Sequence, residues 1–410
     1  MLRLLLAMSL ASVEASATKV FFLLGQSNME GQGIVEEADG AGSGNGTLAF
    51  AVKNRPSTGL PAYDPMDAAA HREGCVAKRA NLESLKLEDG SWAKWPNVQV
   101  DYFGKVGNGW GMVHPRGPLS VGFGVSDKRG VGPELGIGVE LAKHYGNTTH
   151  VLLLKVAWGG TSLAKDWRPP SSVSEFGGAL GWCYTNFTAH AHTVLNELDS
   201  YEIAGMVWHQ GWNDGCSYDM VVEYERNLAN LIRDVRSEFA VPKLPVSIPV
   251  SGMDSFRGRV DRRNGIIHAQ YAVTQYPENV GTVGAQETRG FVRFFDETGG
   301  ACNQGYHYNW CMAMPDMIQT VTVPRAVSSH FHALVVPFFT DCPPRAVPYS
   351  NGESYFYVGS VAGQSMSGLL DGTWKQPYIN TTNPSDAVAE LMPSGEGAVV
   401  EDGCEVYRNA

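Results

Sequence analysis

Five short apolar runs, separated by amphipathic stretches, constrain this chain more than any other feature. They are Lys19–Leu24, His150–Ala157, Ile203–Trp208, Leu244–Val250 and Asn279–Gly284. Each has strand length and little polar alternation, so each reads as a strand buried on both faces. Helical patterns lie between and after them: Pro133–Tyr145, which opens on Pro and stops before Gly146, and residues 181–199, 218–239, 262–276 and 351–370. Strand and helix in alternation predict a parallel sheet covered on both sides. The expected fold is therefore α/β, a three-layer α/β/α sandwich around a mostly parallel, doubly wound sheet. In such sheets chemistry gathers beyond the carboxyl ends of the strands.

At 410 residues and 43% hydrophobic content, the chain can bury one large domain with insertions. Its net charge of −11 argues against nucleic acid or an anionic membrane as the main partner. Residues 1–17 place one Arg before a short apolar run and end Ala15-Ser16-Ala17, the pattern of a cleaved signal peptide. That run is too short to span a bilayer, and no later segment reaches that length. The expected location is extracellular or the lumen of the secretory pathway. Behind such a leader, Asn45, Asn147, Asn186 and Asn380 are glycosylation candidates. Some of the seven cysteines (Cys75, Cys183, Cys216, Cys302, Cys311, Cys342 and Cys404) should pair in an oxidising compartment. There is no HExxH and no Cys/His spacing typical of zinc, so neither metal nor cofactor is expected. A domain over 18–372 is expected, with insertions at 31–130 and 310–350 and a tail over 373–410. The stretch 31–130, rich in Gly, Pro, Trp and charge, reads as a decorated wall of a cleft.

The first strand runs directly into Gly25-Gln-Ser-Asn-Met-Glu-Gly31. Ser27 on that strand-to-helix turn is either an exposed nucleophile or merely the cap of the next helix. The second strand ends in Gly159-Gly160, whose backbone N–H groups can face an oxyanion or simply form a turn. The third ends His209-Gln-Gly-Trp-Asn-Asp214. Asn213 can donate to the same oxyanion, Gln210 can donate or anchor the turn, Asp214 can carry charge or cap the helix from Tyr218, and His209 reads as structural. Late in the chain, His307 sits in a polar, aromatic loop where a general base would be needed.

Taken in order, GQSNM, the Gly-Gly turn, Gly211-Trp-Asn-Asp214 and the late His resemble the blocks of the SGNH hydrolase superfamily. GQSNMEG, GPELG (Gly132–Gly136), WHQGWND and GYHYN are similar to its sialate O-acetylesterase branch, carbohydrate esterase family six. The resemblance runs over residues 19–309. It implies a flavodoxin-like sheet and hydrolysis of O-acetyl esters on a carbohydrate, either a sialate or a plant-type polysaccharide, with no cofactor. It also implies Ser27 as nucleophile, His307 as base, and an oxyanion hole made by the Ser27 N–H, Gly159 or Gly160, Asn213 and, as a further donor, Gln210. The remaining readings are a catalytically inactive carbohydrate-binding relative and a lipase- or thioesterase-like hydrolase of the same fold.

Two departures from the family pattern stand out. Many such enzymes carry Asp three residues before the His, where this chain has Gln304. The acid partner of His307 is then Asp296, with Glu287 and Asp214 as alternatives, or the pair acts alone. Second, the closing-helix pattern appears only at Asn351-Gly-Glu-Ser-Tyr-Phe356, after a proline-rich stretch over 310–350. That stretch is either a lineage-specific loop or translated intron.

Overall fold

A computed structural model describes residues 17–36, 47–54, 82–105, 112–125, 130–250, 261–286, 288, 352–376, 400–401 and 404–405. His307, Asp296, Glu287, Gln304, Asn45, Asn380, the 310–350 segment and all but the last residue of the proposed leader lie outside the described residues.

In chain order the strands are β1 (Thr18–Gly25), β2 (Gly33–Ile34), β3 (Trp95–Lys105), β4 (Met112–Val113), β5 (Arg116–Leu119), β6 (Gly130–Val131), β7 (Val151–Ala157), β8 (Tyr201–His209), β9 (Val246–Pro249), β10 (Val283–Gln286), β11 (Val400–Glu401) and β12 (Cys404–Glu405). The helices are α1 (Ser27–Glu30), α2 (Leu48–Asn54), α3 (Pro133–Tyr145), α4 (Pro170–Phe176), α5 (Trp182–Leu195), α6 (Tyr218–Glu238), α7 (Asp261–Ala272) and α8 (Gly352–Leu370).

The main sheet has the order β10-β9-β8-β1-β7-β3-β4, with β5 also paired to β3. Strands β1, β3, β7, β8, β9 and β10 run parallel; β4 and β5 run antiparallel to β3. Set β3 aside, and β1, β7, β8, β9 and β10 stand in the flavodoxin-like order 2-1-3-4-5. β1 is central, and the winding reverses between β1 and β8. Their carboxyl ends flank the crevice where such folds bind ligands.

The position of β3 corrects the cleft-wall reading of 31–130. This part of the stretch extends the sheet, because Trp95–Lys105 alternates. Val98, Val100 and Tyr102 are buried against one helix layer, while Asp101 and Phe103 face the other.

The sheet's two faces make two cores. Phe22, Leu154 and Trp208 pack with Phe187 of α5, Leu228 of α6 and Ile266 of α7. Phe21, Leu23 and Leu153 pack with Leu135 and Ile137 of α3 and Tyr355 and Val358 of α8. Burying one such side chain fully contributes about 1.5–3 kcal/mol, which is why the β1 run Phe21-Phe22-Leu23-Leu24, all at 0% exposure, fixes the centre of the sheet. Helices α3 and α8 touch almost backbone to backbone: a Cβ on Gly359 would lie 2.0 Å from the Pro133 carbonyl oxygen. Among the described residues no helix is long and apolar enough to cross a membrane.

Candidate active site

Ser27 opens α1 directly beyond β1 and is buried, at 7% exposure. It does not cap that helix: Gln26 holds the cap position, and no side chain closes the turn. The backbone joins three strand ends here. Gln26 N–H donates to the His209 carbonyl (3.3 Å), and Trp158 N–H donates to the Gly25 carbonyl (3.3 Å). Gly25 is required by close approach, since a Cβ there would stand 2.2 Å from the His209 oxygen.

The Gly-Gly turn lies beside the serine. A Cβ placed on Gly159 would be 3.6 Å from Ser27 Cβ and 2.9 Å from a Glu30 carboxylate oxygen, so Gly159 borders the Ser27 turn. Gly159 and Gly160 are both exposed, and Gly160 has φ 73, a left-handed conformation suited to glycine.

On the β8 side, the Gln26 side chain does the positioning. Its Oε1 accepts from the backbone N–H of Gly211 (3.1 Å) and of Asn213 (3.4 Å). One buried amide thus ties the turn carrying Asn213 to the residue preceding Ser27, and Asn213 itself is half-buried.

Gln210 anchors its turn, one of the two readings open to it, and Asp214 does not cap the following helix. Gln210 donates through Nε2 to the Thr161 carbonyl (3.0 Å) and to Asp214 (2.6 Å), and its Oε1 accepts from Tyr224 OH (3.0 Å). Its amide is committed inside the protein, so Gln210 anchors the turn and does not serve as an oxyanion donor. The fully buried Asp214 carboxylate accepts from the backbone N–H of Leu163 (2.8 Å) and Ala164 (2.9 Å), and Ser217 holds the cap position of α6, with no side-chain capping bond. Burial pushes the Asp214 carboxyl up to about 6, against the pull of these hydrogen bonds. Both its oxygens are taken up in clamping the loop after β7 to the loop after β8. That commitment is the physical reason against its serving as the acid partner of a histidine base. His209 is buried, with Nδ1 2.8 Å from the Pro249 carbonyl, and burial pushes it down to about 4; the ring is neutral and structural.

Beneath the Ser27 turn lies Lys155 of β7, at 0% exposure. Its Nζ donates to the Glu30 carbonyl (2.7 Å), the Phe123 carbonyl (2.8 Å) and Glu134 Oε2 (2.7 Å), and stands 4.4 Å from the centre of the Tyr102 ring. All three ammonium protons have acceptors, as a buried charge requires. Burial lowers the lysine's pKa, with Glu134 opposing. Glu134, from the GPELG block, also accepts from Gly132 N–H (2.8 Å). From the other side, Tyr355 of α8 donates to Asn28 Oδ1 (2.9 Å). Gln26, Lys155 and Tyr355 carry no local pattern that predicts these roles. A lysine inside an apolar strand run was the one available signal, since a charge there demands a partner.

Trp158, buried directly before Gly159, has its ring 4.9 Å from that of Trp182, which is 43% exposed and donates to Asp166 (2.9 Å). Of the other tryptophans, Trp92 donates to Glu36 (2.7 Å) and Trp212 packs on the core. Asn147 is exposed, while Asn186 lies within α5 and donates to the Trp182 carbonyl (2.8 Å). Cys183 is a buried thiol outside any disulfide, and burial raises its pKa strongly.

Residues 94–289 match a family model described as carbohydrate esterase, sialic acid-specific acetylesterase. The esterase match takes in β3 and β7–β10 with the Gly159-Gly160 and Gln210–Asp214 turns; it begins after Ser27 and ends before His307. No curated protein matches the chain. Among solved structures, the chain is similar to NanS, at 12% identity over 87% of this chain and 97% of that one, with a TM-score of 0.42. A carbohydrate acetylesterase from Xanthomonas citri, XAC1771, aligns at 15% identity over 67% of this chain and 50% of its own, with a TM-score of 0.39. A protein from Arabidopsis thaliana aligns at 15% identity over 69% and 90%, also with a TM-score of 0.39.

Proposed function

We propose that this chain is a secreted serine esterase that removes O-acetyl groups from a carbohydrate, with Ser27 as nucleophile and His307 as general base. One observation supports the reading above all. Ser27 stands at the carboxyl end of the central strand, Gly159 borders it, and the turn bearing Asn213 is bound to its neighbour Gln26. That is the arrangement an acyl-transfer site needs, a hydroxyl between two sources of oxyanion donors.

In this reading His307 takes the Ser27 proton as Oγ attacks the acetyl carbonyl. The developing oxyanion is held by the Ser27 N–H, a Gly159 or Gly160 N–H and the Asn213 side chain, each worth about 3 kcal/mol. The sugar hydroxyl leaves with the proton from His307. Water, deprotonated in turn by His307, then attacks the acetyl-serine and frees acetate and the Ser27 hydroxyl. The exposed face of Trp182, beside Trp158, offers an aromatic platform for a sugar ring. The substrate is an acetylated glycan, a sialate or a plant-type polysaccharide, and the leader over residues 1–17 sends the protein to the secretory pathway.

The test is acetate release from p-nitrophenyl acetate, acetylated xylan and acetylated sialic acid by the wild type, Ser27→Ala and His307→Ala, with circular dichroism confirming that each folds. Release is expected from the wild type and at most a trace from either variant. Sugar binding without turnover in the wild type points to a binding relative, and faster cleavage of long-chain than acetyl esters points to a lipase-like enzyme.

A further inference from the structure

On the sheet edge, outside the proposed esterase machinery, three side chains converge from separate elements. Asp101 lies on β3, His114 in the link between β4 and β5, and His190 on α5. The Nε2 atoms of His114 and His190 stand 2.7 and 2.8 Å from the same oxygen, Asp101 Oδ1. One ligand atom from each residue lies within 4.8 Å of the others. We propose that these three residues form a binding site for a single divalent transition-metal ion, with Zn²⁺ as the best match.

The donor set argues for the metal class. Two imidazole nitrogens with one carboxylate oxygen suit zinc and its neighbours, whereas Ca²⁺ and Mg²⁺ take oxygen shells. With metal–ligand bonds of about 2.0–2.1 Å, a tetrahedral ion holds adjacent ligand atoms about 3.3 Å apart. Each imidazole then opens by about half an ångström from Asp101, and the two imidazole nitrogens, within 4.8 Å of each other, settle to the same spacing. The fourth position is left for water, and the ion can enter from the His114 side, which is exposed.

The surroundings are those of a prepared site. Arg116 Nε pairs with Asp101 Oδ2, and its Nη1 bonds Glu197 (2.7 Å). The guanidinium thereby occupies one carboxylate oxygen; its Nε also donates to His114 Nε2 (3.3 Å), a bond that an incoming ion has to displace. Phe103 stacks on His190 with ring centres 4.6 Å apart and planes at 19°, and His114 meets His190 edge-on at 4.6 Å. These contacts fix the ring orientations, the part usually played by outer-shell partners. Burial pushes the Asp101 carboxyl up, and the hydrogen bonds from His190 and His114 outweigh that, holding it below the usual carboxylate range. An ion here would pin α5 and the β4–β5 link to strand β3. The same Phe103 meets Trp158 at 5.7 Å, so the pinned corner adjoins the aromatic wall of the esterase cleft. His114 and His190 lie 13 and 89 residues from Asp101 in the chain, separations that no short spacing pattern reveals.

The experiment uses the full, untagged chain, stripped with chelator and dialysed. Zinc uptake is measured by titration calorimetry and elemental analysis, and Co²⁺ serves as a spectroscopic probe. The wild type is expected to take up one more equivalent of zinc than His114→Ala/His190→Ala and to show visible ligand-field bands with Co²⁺. Zinc should raise the Tm of the wild type and leave that of the double variant unmoved. The single exposed change His114→Ala, which leaves the core untouched, should weaken binding by more than the ~10–100-fold typical of losing an outer partner. Equal zinc uptake by wild type and double variant, or no uptake by the wild type at micromolar zinc, overturns the proposal and leaves a hydrogen-bonded carboxylate. None of these readouts depends on esterase activity.

Discussion

Replacing Lys155 by Met tests the support beneath the nucleophile turn. Methionine keeps the length and apolar stem of the lysine but supplies none of its three donors. Glu134, at 0% exposure, would lose the ammonium 2.7 Å away. The carbonyls of Glu30 and Phe123 would lose their bonds to Nζ at 2.7 and 2.8 Å. Stranding one member of a buried ion pair destabilises by about 3–5 kcal/mol. The orphaned carbonyls act in the same direction, so a loss of at least about 4 kcal/mol is expected in urea unfolding. Glu30 closes the turn that begins at Ser27, so its release should also lower kcat for acetate release about 10- to 100-fold, with KM changed less. Adding Glu134→Gln to Lys155→Met removes the stranded charge and should recover part of the lost stability. A loss below about 1 kcal/mol, or a double variant less stable than the single one, would refute the argument.

Two further outcomes follow from the same site. His209 is pushed down to about 4 by burial, so the folded state resists its protonation. The stability this gives is full above pH ~6.5 and is lost as pH falls towards 4, by about 3 kcal/mol. Asp214, pushed up to about 6, runs the other way: it favours the folded state at low pH and loses that contribution as pH rises from ~3.8 to 6, also by about 3 kcal/mol. The two offset each other, so urea unfolding of Asp214→Asn at pH about 7 and about 4.5 should show a steeper loss of stability in acid than the wild type; an unchanged slope counts against the buried-carboxyl reading. Gln26→Ala strands the N–H groups of Gly211 and Asn213. It should cost about 1–3 kcal/mol and reduce kcat more than KM, read by unfolding and steady-state kinetics.

The candidate site was partly legible because its residues follow strand ends. Ser27, the Gly159-Gly160 turn and the Gln210–Asp214 turn each come directly after an apolar run, and a parallel sheet brings such turns to one edge. Which way a side chain points was not legible. Gln210 and Asn213 sit in the same turn with similar amides, yet the amide of Gln210 is committed to Thr161, Asp214 and Tyr224. That difference depends on Tyr224 and Thr161, which come from other elements. Gln26 went unread for the same reason, since its two hydrogen-bond donors lie 185 and 187 residues away.

By itself the sequence determined the elements of this protein. Period and length set the five core strands and the helices after them, because burial on two faces needs continuous apolar runs and burial on one face needs a helical stripe. Only the tertiary structure decided the strand neighbours, the entry of Trp95–Lys105 into the sheet between β7 and the β4–β5 pair, and the meeting of Asp101, His114 and His190. Such contacts are made across the sheet by residues far apart in the chain. Their geometry follows from how the layers pack, and no local pattern carries it.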